Sequence, residues 1–387
     1  MELALYHAEF GYYARAVQRS GRTGDFFTSV DVGAVFGGLL ELQVAEMAEI
    51  LATIAAAGSA EHEETTTECS TRSAANVFDL VEAGAGSGRL SADILRAARR
   101  RHPDIFARTK LHLVEVSGAA RGAQPAMLRE LAERLVSSAA RLPQSFDGVL
   151  IVNELLDALP VHQVVMRPDG LREVYVDLAV ESGHGGAPTP RLVTREGPLS
   201  TPALAEYLSR LDITLEPGWR AEINLRAVDW MREAAQRLRR GFIILIDYGH
   251  QAPELYGVAH AGGTLTTFAR HTMAGPEAAP AAPWLMTPGD QDITAHVDFT
   301  TLRSVAEAEG LATLGFLDQT YFLMGLLGQG TQGPQPADLE LLTLEDRLAL
   351  KTLLMPGGLG STLKVLLLGK GVGTPALRGC SYRMRVT

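Results

Sequence analysis

The stretch Val77-Phe78-Asp79-Leu80-Val81-Glu82-Ala83-Gly84-Ala85-Gly86-Ser87-Gly88-Arg89-Leu90 constrains this chain more than any other. Its first half is apolar in the manner of a buried parallel strand. Three glycines at alternate positions follow, and then a helical pattern. The order is strand, tight turn, helix start. Without a Cβ, Gly84, Gly86 and Gly88 let a ligand approach the backbone closely. The helix offers unpaired N–H groups and the positive end of its dipole. A plain strand-to-helix connection has the same glycine content, so the turn by itself leaves the ligand open. The dinucleotide fingerprint G-x-G-x-x-G has a longer last spacer than the G-x-G-x-G found here, which disfavours a nicotinamide-linked oxidoreductase. No Gly-Lys-Ser/Thr follows, which argues against a P-loop.

Two further strand ends carry acids. Leu111-His112-Leu113-Val114-Glu115-Val116-Ser117 reads as a short buried strand ending at Glu115, before a helix expected over 118–138. An acid at this place in a nucleotide-binding α/β fold accepts hydrogen bonds from ribose hydroxyls. Phe146 to Pro160 is an apolar strand running into Asn153-Glu154, with Asp157 three residues on. Carboxylates at the C-terminal end of a strand stand on the rim where open α/β sheets bind ligands. Gly241 to His250 is a fourth buried strand, ending in Asp247 and His250. Residues 311–317 and 362–368 are expected to form a last strand pair, and the segment around Arg141 an edge strand. Alternating strands and helices predict a mainly parallel α/β sheet with helices on both faces.

Between these motifs the organisation is coarser. Residues 1–58 read as an N-terminal loop and a long helix covering the ligand site, with Asp31 as the helix N-cap and Gly24, Thr28 and Ser29 near the ligand. Residues 59–75 read as a polar linker, and residues 76–370 as the main domain. Within it, 161–225 forms a small inserted antiparallel β/helical subdomain, because Arg167-Pro168-Asp169-Gly170 is a turn sequence between two alternating runs. Residues 262–271 and 288–297 read as polar loop, and 371–387 as a tail. The net charge of −10 disfavours a nucleic acid and suits a cationic partner. Two cysteines, Cys69 and Cys380, supply neither a disulfide framework nor a thiolate metal site, and no metal is expected. No apolar run is long enough for a membrane span. The opening residues carry neither a signal-peptide nor a transit-peptide pattern.

These motifs in this order resemble the MidA-like S-adenosyl-L-methionine (SAM) dependent methyltransferases. The resemblance rests on Gly11-Tyr12-Tyr13, Gly24-Asp25-Phe26 with Thr28-Ser29, Glu82 through Leu90, Leu113 through Ser117, Asn153 through Val161, Ile246 through His250, and Gln291 through Phe299. It implies a Rossmann-like class I methyltransferase sheet and SAM as cofactor. The cofactor would be held by Gly24, Thr28, Ser29, Glu82, Gly84, Ala85, Gly86, Gly88, Glu115, Asn153 and Glu154. It implies protein arginine N-methylation, with symmetric dimethylation of a respiratory complex I subunit during assembly as the expected activity. The compartment would be the mitochondrial matrix in a eukaryote and the cytoplasm otherwise. Glu154 and Asp157, then Asp247 and His250, are the expected catalytic residues, because carboxylates clamp a planar guanidinium bidentately. The alternative is a non-catalytic SAM-binding assembly factor.

Overall fold

The computed structural model describes residues 1–15, 28–62, 77–181, 189–269, 272–276, 282–328, 343–355 and 362–382. Gly24 and most of the expected 59–75 linker lie outside the described residues. The central sheet contains seven long strands: β1 (Phe78–Ala83), β2 (Thr109–Val114), β3 (Leu135–Ala139), β4 (Phe146–Asn153), β5 (Leu238–His250), β6 (Ala312–Asp318) and β7 (Leu363–Lys370). Their spatial order is 3-2-1-4-5-7-6. The first five pair in parallel, and β7 runs antiparallel to both β5 and β6. A two-residue strand, Val297–Asp298, joins the C-terminal end of β5 in parallel.

Side chains alternate across a strand, and here the two faces feed two cores. Val149 and Ile151 of β4, with Phe242, Ile244 and Ile246 of β5, join one cluster under helices α1 (Ala34–His62) and α2 (Arg89–Arg101). Leu150 and Val152, with Ile243 and Leu245, join the other, under the helices Leu225–Arg237 and Phe299–Ala308. Both faces being covered explains why these strands are apolar throughout rather than alternating.

Local expectations need revision at several points. Helix α3 (Gly118–Leu128) is ten residues shorter than expected. Arg129 takes φ +52° and ends it, a 3₁₀ stretch follows, and β3 pairs with β2. That edge strand therefore precedes Arg141. Asp31 is not the N-cap of α1. It lies in a short helix, Ser29–Val32, where its Oδ2 accepts from the Thr28 N–H at 3.1 Å and hydroxyl at 2.8 Å. The opening segment expected to be loop holds helices at Glu2–Tyr6 and Tyr12–Arg15.

Residues 162–223 contribute a four-stranded antiparallel sheet, with Arg167 paired to Gly170 across the expected turn. Parts of the two segments read as polar loop, Thr266–Ala269 and Asp292–Thr294, instead pair with each other and, through the first, with Thr272–Ala274 as a three-stranded antiparallel sheet. One of those partners lies more than twenty positions away in sequence, so no local pattern announced it. The C-terminal stretch, patternless in sequence, is held by two polar side chains of α1. Arg378 N–H donates to Glu46 Oε2, and Gly379 N–H donates to Gln43 Oε1. Among the described residues no helix is long and apolar enough to cross a membrane.

Candidate active site

The C-terminal ends of β1, β2 and β4 open on one cavity of about 790 Å³. Its floor is the glycine turn. Gly84, Gly86 and Gly88 have φ of +72°, +50° and +80°, values that residues with a Cβ reach only at a cost. A Cβ added at Gly86 would meet no protein atom within 4 Å, whereas one at Gly84 would touch Leu155 and one at Gly88 would touch Leu113. The open side of Gly86 thus faces the cavity. The N–H groups of Gly84 and Ala85 donate to Val114 O at 3.0 and 3.1 Å, tying the turn to the end of β2.

Glu115 braces the same turn. Its Oε2 accepts from Gly86 N–H at 2.9 Å and its Oε1 from Ser117 N–H at 2.7 Å. Each carboxylate oxygen has two lone pairs, so both can still accept from a ligand hydroxyl. Gln124, fully buried on α3, donates to Gly86 O at 2.9 Å and accepts from Ser138 Oγ at 2.6 Å. Sequence reasoning missed Gln124, because a glutamine in a helix carries no signal until the helix is docked. Glu82 contributes to the cavity wall and also accepts from the N–H and hydroxyl of Ser91, which pins the start of α2. Burial pushes its pKa up to about 7.

The second wall is the end of β4. Glu154 has φ +51°, the left-handed region for a residue with a side chain, and such strain persists where the surroundings enforce it. Here its N–H donates to Ile246 O at 2.8 Å. Its Oε1 accepts from Ser29 N–H and from Asn153 Nδ2, both at 3.2 Å. Burial raises its pKa to about 8. Asn153 and Glu154 both line the cavity, and Asn153 Oδ1 is buried with no donor among the described residues.

The other expected catalytic residues stand elsewhere. Asp247 is fully buried, and its oxygens accept from the backbone N–H groups of Leu155, Leu156, Asp157 and Tyr248 at 2.8–3.4 Å. It clamps the 154–157 turn from behind. Asp157 is buried against Asp247, and burial followed by that neighbouring charge raises its pKa well above the carboxylate range. The four N–H donors favour Asp247 as the ionised member, so Asp157 holds the proton between them. His250 packs against the rings of His260 and His296. Of the four expected catalytic side chains, only Glu154 borders the cavity.

The N-terminal segment closes the cavity. Tyr13, Thr28 and Asp31 line it, and Tyr13 Oη donates to Asp292 Oδ1 at 2.8 Å. Asp31 Oδ1 lies 3.4 Å from Arg89 Nη1, at the start of α2. Ser29 serves the wall indirectly, through its N–H on Glu154 and its hydroxyl on Gln319.

Four likenesses, to one family and three known proteins, bear on this arrangement. A family described as S-adenosyl-L-methionine-dependent methyltransferases matches residues 63–317. The mitochondrial protein arginine methyltransferase NDUFAF7 homologue of Drosophila melanogaster is 27% identical over 356 residues, covering 85% of this chain and 70% of that one. The human protein arginine methyltransferase NDUFAF7, also mitochondrial, is 28% identical over 355 residues, covering 84% and 68%. A crystal structure of a protein from Burkholderia thailandensis bound to S-adenosyl-homocysteine superposes with a TM-score of 0.77 at 27% identity, covering 98% of this chain and 88% of that one.

Proposed function

This chain belongs to the S-adenosyl-L-methionine-dependent methyltransferase family, and from that premise we propose that it methylates arginine side chains of a protein, with Glu154 holding the acceptor. The residues present fit the cofactor. Gly86 leaves open the space that a Cβ would fill, Glu115 keeps lone pairs for ribose hydroxyls, and Asn153 Oδ1 lacks a donor that a bound nucleoside or amino group supplies. Bound there, SAM supplies a methyl group on a sulfonium that leaves as a neutral thioether.

What remains for the protein is alignment, which contributes up to about 7–11 kcal/mol in favourable cases. The observation that carries the reading is Glu154. It is a half-buried acid on the cavity rim, and Ser29 and Asn153 occupy only its Oε1. Among the described residues no cation pairs with it. An arginine guanidinium is the cation whose planar fork meets a carboxylate best. Glu154 orients one nitrogen toward the methyl group. Once the new N–C bond forms, that nitrogen sheds one proton. A carboxylate whose proton affinity is raised by burial is suited to take it. Asp247 acts through the backbone by fixing the turn that aims Glu154.

The relatives' names support a protein acceptor and an arginine, and the acidic surface suits a basic segment. Within this reading the product is symmetric dimethylarginine on a respiratory complex I subunit, made in the mitochondrial matrix of a eukaryote or the cytoplasm of a prokaryote. The inserted sheet of residues 162–223 then forms the substrate-side subdomain. The test uses methyl-tritiated SAM with purified complex I subunits as acceptors, followed by hydrolysis and separation of methylarginines. Labelled symmetric dimethylarginine is expected. S-adenosyl-homocysteine binding by calorimetry without any labelled methylarginine would instead assign the chain as a non-catalytic SAM-binding assembly factor.

A further inference from the structure

We propose that His250, His260 and His296 form a binding site for a divalent zinc ion. The three are scattered in sequence and share no spacing motif, and no metal was expected from the sequence. The fold brings them together. His250 ends β5, His260 ends the 3₁₀ turn Val258–His260, and His296 directly precedes the short strand Val297–Asp298. One ring nitrogen from each lies within 4.8 Å of the other two. The ring centroids are 4.7, 5.2 and 5.7 Å apart. Zinc bonds imidazole nitrogen at about 2.0–2.1 Å, so a tetrahedral site places its nitrogens roughly 3.3–3.4 Å apart. Side-chain rotation within the cluster covers that contraction.

The surroundings are those of a ligand set. A metal-bound histidine is oriented by an acceptor on its other nitrogen. His260 Nδ1 lies 3.0 Å from Glu254 O, which leaves its Nε2 bare. His250 Nδ1 lies 2.9 Å from Glu254 Oε1. Glu254 thus orients the His260 ring through its carbonyl and places a negative charge beside His250, whose Nδ1 makes no hydrogen bond among the described residues. His296 Nδ1 is buried with no hydrogen-bond partner among the described residues, and such an atom calls for a partner from outside the protein. Three imidazoles without a thiolate form a donor set of the borderline kind, which suits zinc. The fourth position is left to water.

The ion would tie together three segments on the rim behind the methyl-transfer pocket. Ala295 N–H donates to Asp157 O at 2.9 Å, so the zinc-bound segment holds the same turn that Asp247 clamps. This inference stands apart from the acceptor proposed above, since its readout is metal binding.

The experiment takes the full chain, stripped with a chelator, and titrates it with zinc chloride by calorimetry. Cobalt(II) serves as a coloured substitute. One equivalent of zinc is expected, with visible cobalt absorption of low-coordinate imidazole type. His260→Gln and His296→Gln should each weaken zinc binding at least tenfold, while Cys380→Ser leaves it unchanged. Retained binding of S-adenosyl-homocysteine shows that each variant is folded. Should His296→Gln misfold, His260→Gln on its outer turn decides. No zinc uptake by the wild-type chain, or unchanged affinity in His260→Gln, overturns the proposal.

Discussion

Replacing Glu154 with Gln tests the acceptor chemistry most directly. The glutamine keeps the length of the side chain and a carbonyl oxygen for the Ser29 N–H, so the turn and the cofactor wall should survive. What disappears is the charge. With a pKa of about 8, Glu154 is mostly protonated at pH 7. Ionising it there costs about 1.4 kcal/mol, one pH unit below its pKa. Two hydrogen bonds to a guanidinium return about 1.5–3 kcal/mol each. The balance favours the ionised pair by about 1.6–4.6 kcal/mol, which corresponds to a loss of about 15- to 2400-fold in kcat/KM for Glu154→Gln.

The same shift fixes a pH dependence. In the wild-type chain kcat/KM should rise by up to about tenfold per unit on approach to pH 8 and then level off, while Glu154→Gln should be flat over that range. Because burial raises the folded pKa from the ordinary 4.5 of a glutamate to about 8, neutral Glu154 contributes stability below about pH 4.5. That contribution is lost as pH rises through about 8. The assay is tritium transfer from SAM into an arginine-containing acceptor across pH, run beside calorimetry with S-adenosyl-homocysteine. Equal losses of transfer and of S-adenosyl-homocysteine affinity would refute the assignment, since Glu154 would then be a cofactor ligand. Activity within threefold of wild type would refute it as well.

Other perturbations separate cofactor from scaffold. Gly86→Val should abolish measurable S-adenosyl-homocysteine binding by calorimetry, because the new side chain enters open cavity space. Its cost to folding is expected at about 1–2 kcal/mol, from a left-handed backbone with a Cβ. A thermal shift far beyond that, with binding intact, would contradict the cradle. Asp247→Ala strands the backbone N–H groups of Leu155, Leu156, Asp157 and Tyr248, at about 1–3 kcal/mol for each group left unsatisfied. Urea unfolding should show a loss of at least about 4 kcal/mol, and a loss below about 1 kcal/mol would mean that the turn is held by something else.

The central sheet was legible because its strands are buried on both faces, and unbroken apolar runs ending in Gly84-Ala85-Gly86, Glu115 and Asn153-Glu154 have few other uses. The glycine turn is a backbone requirement, and backbone requirements are written locally. Side-chain direction is not. Asp157, Asp247 and His250 all belong to strand-end motifs, yet the tertiary structure turns two of them into a buried clamp and the third into a histidine cluster. Gln124 was invisible for the same reason, since its role exists only where α3 meets the turn. The sequence by itself therefore determined the sheet, the glycine turn that floors the cavity and the acids available at the rim, because these follow from periodicity and glycine placement. Only the tertiary structure decided which acid faces the cavity and which three histidines meet, because convergence of distant strand ends depends on packing that no local pattern encodes.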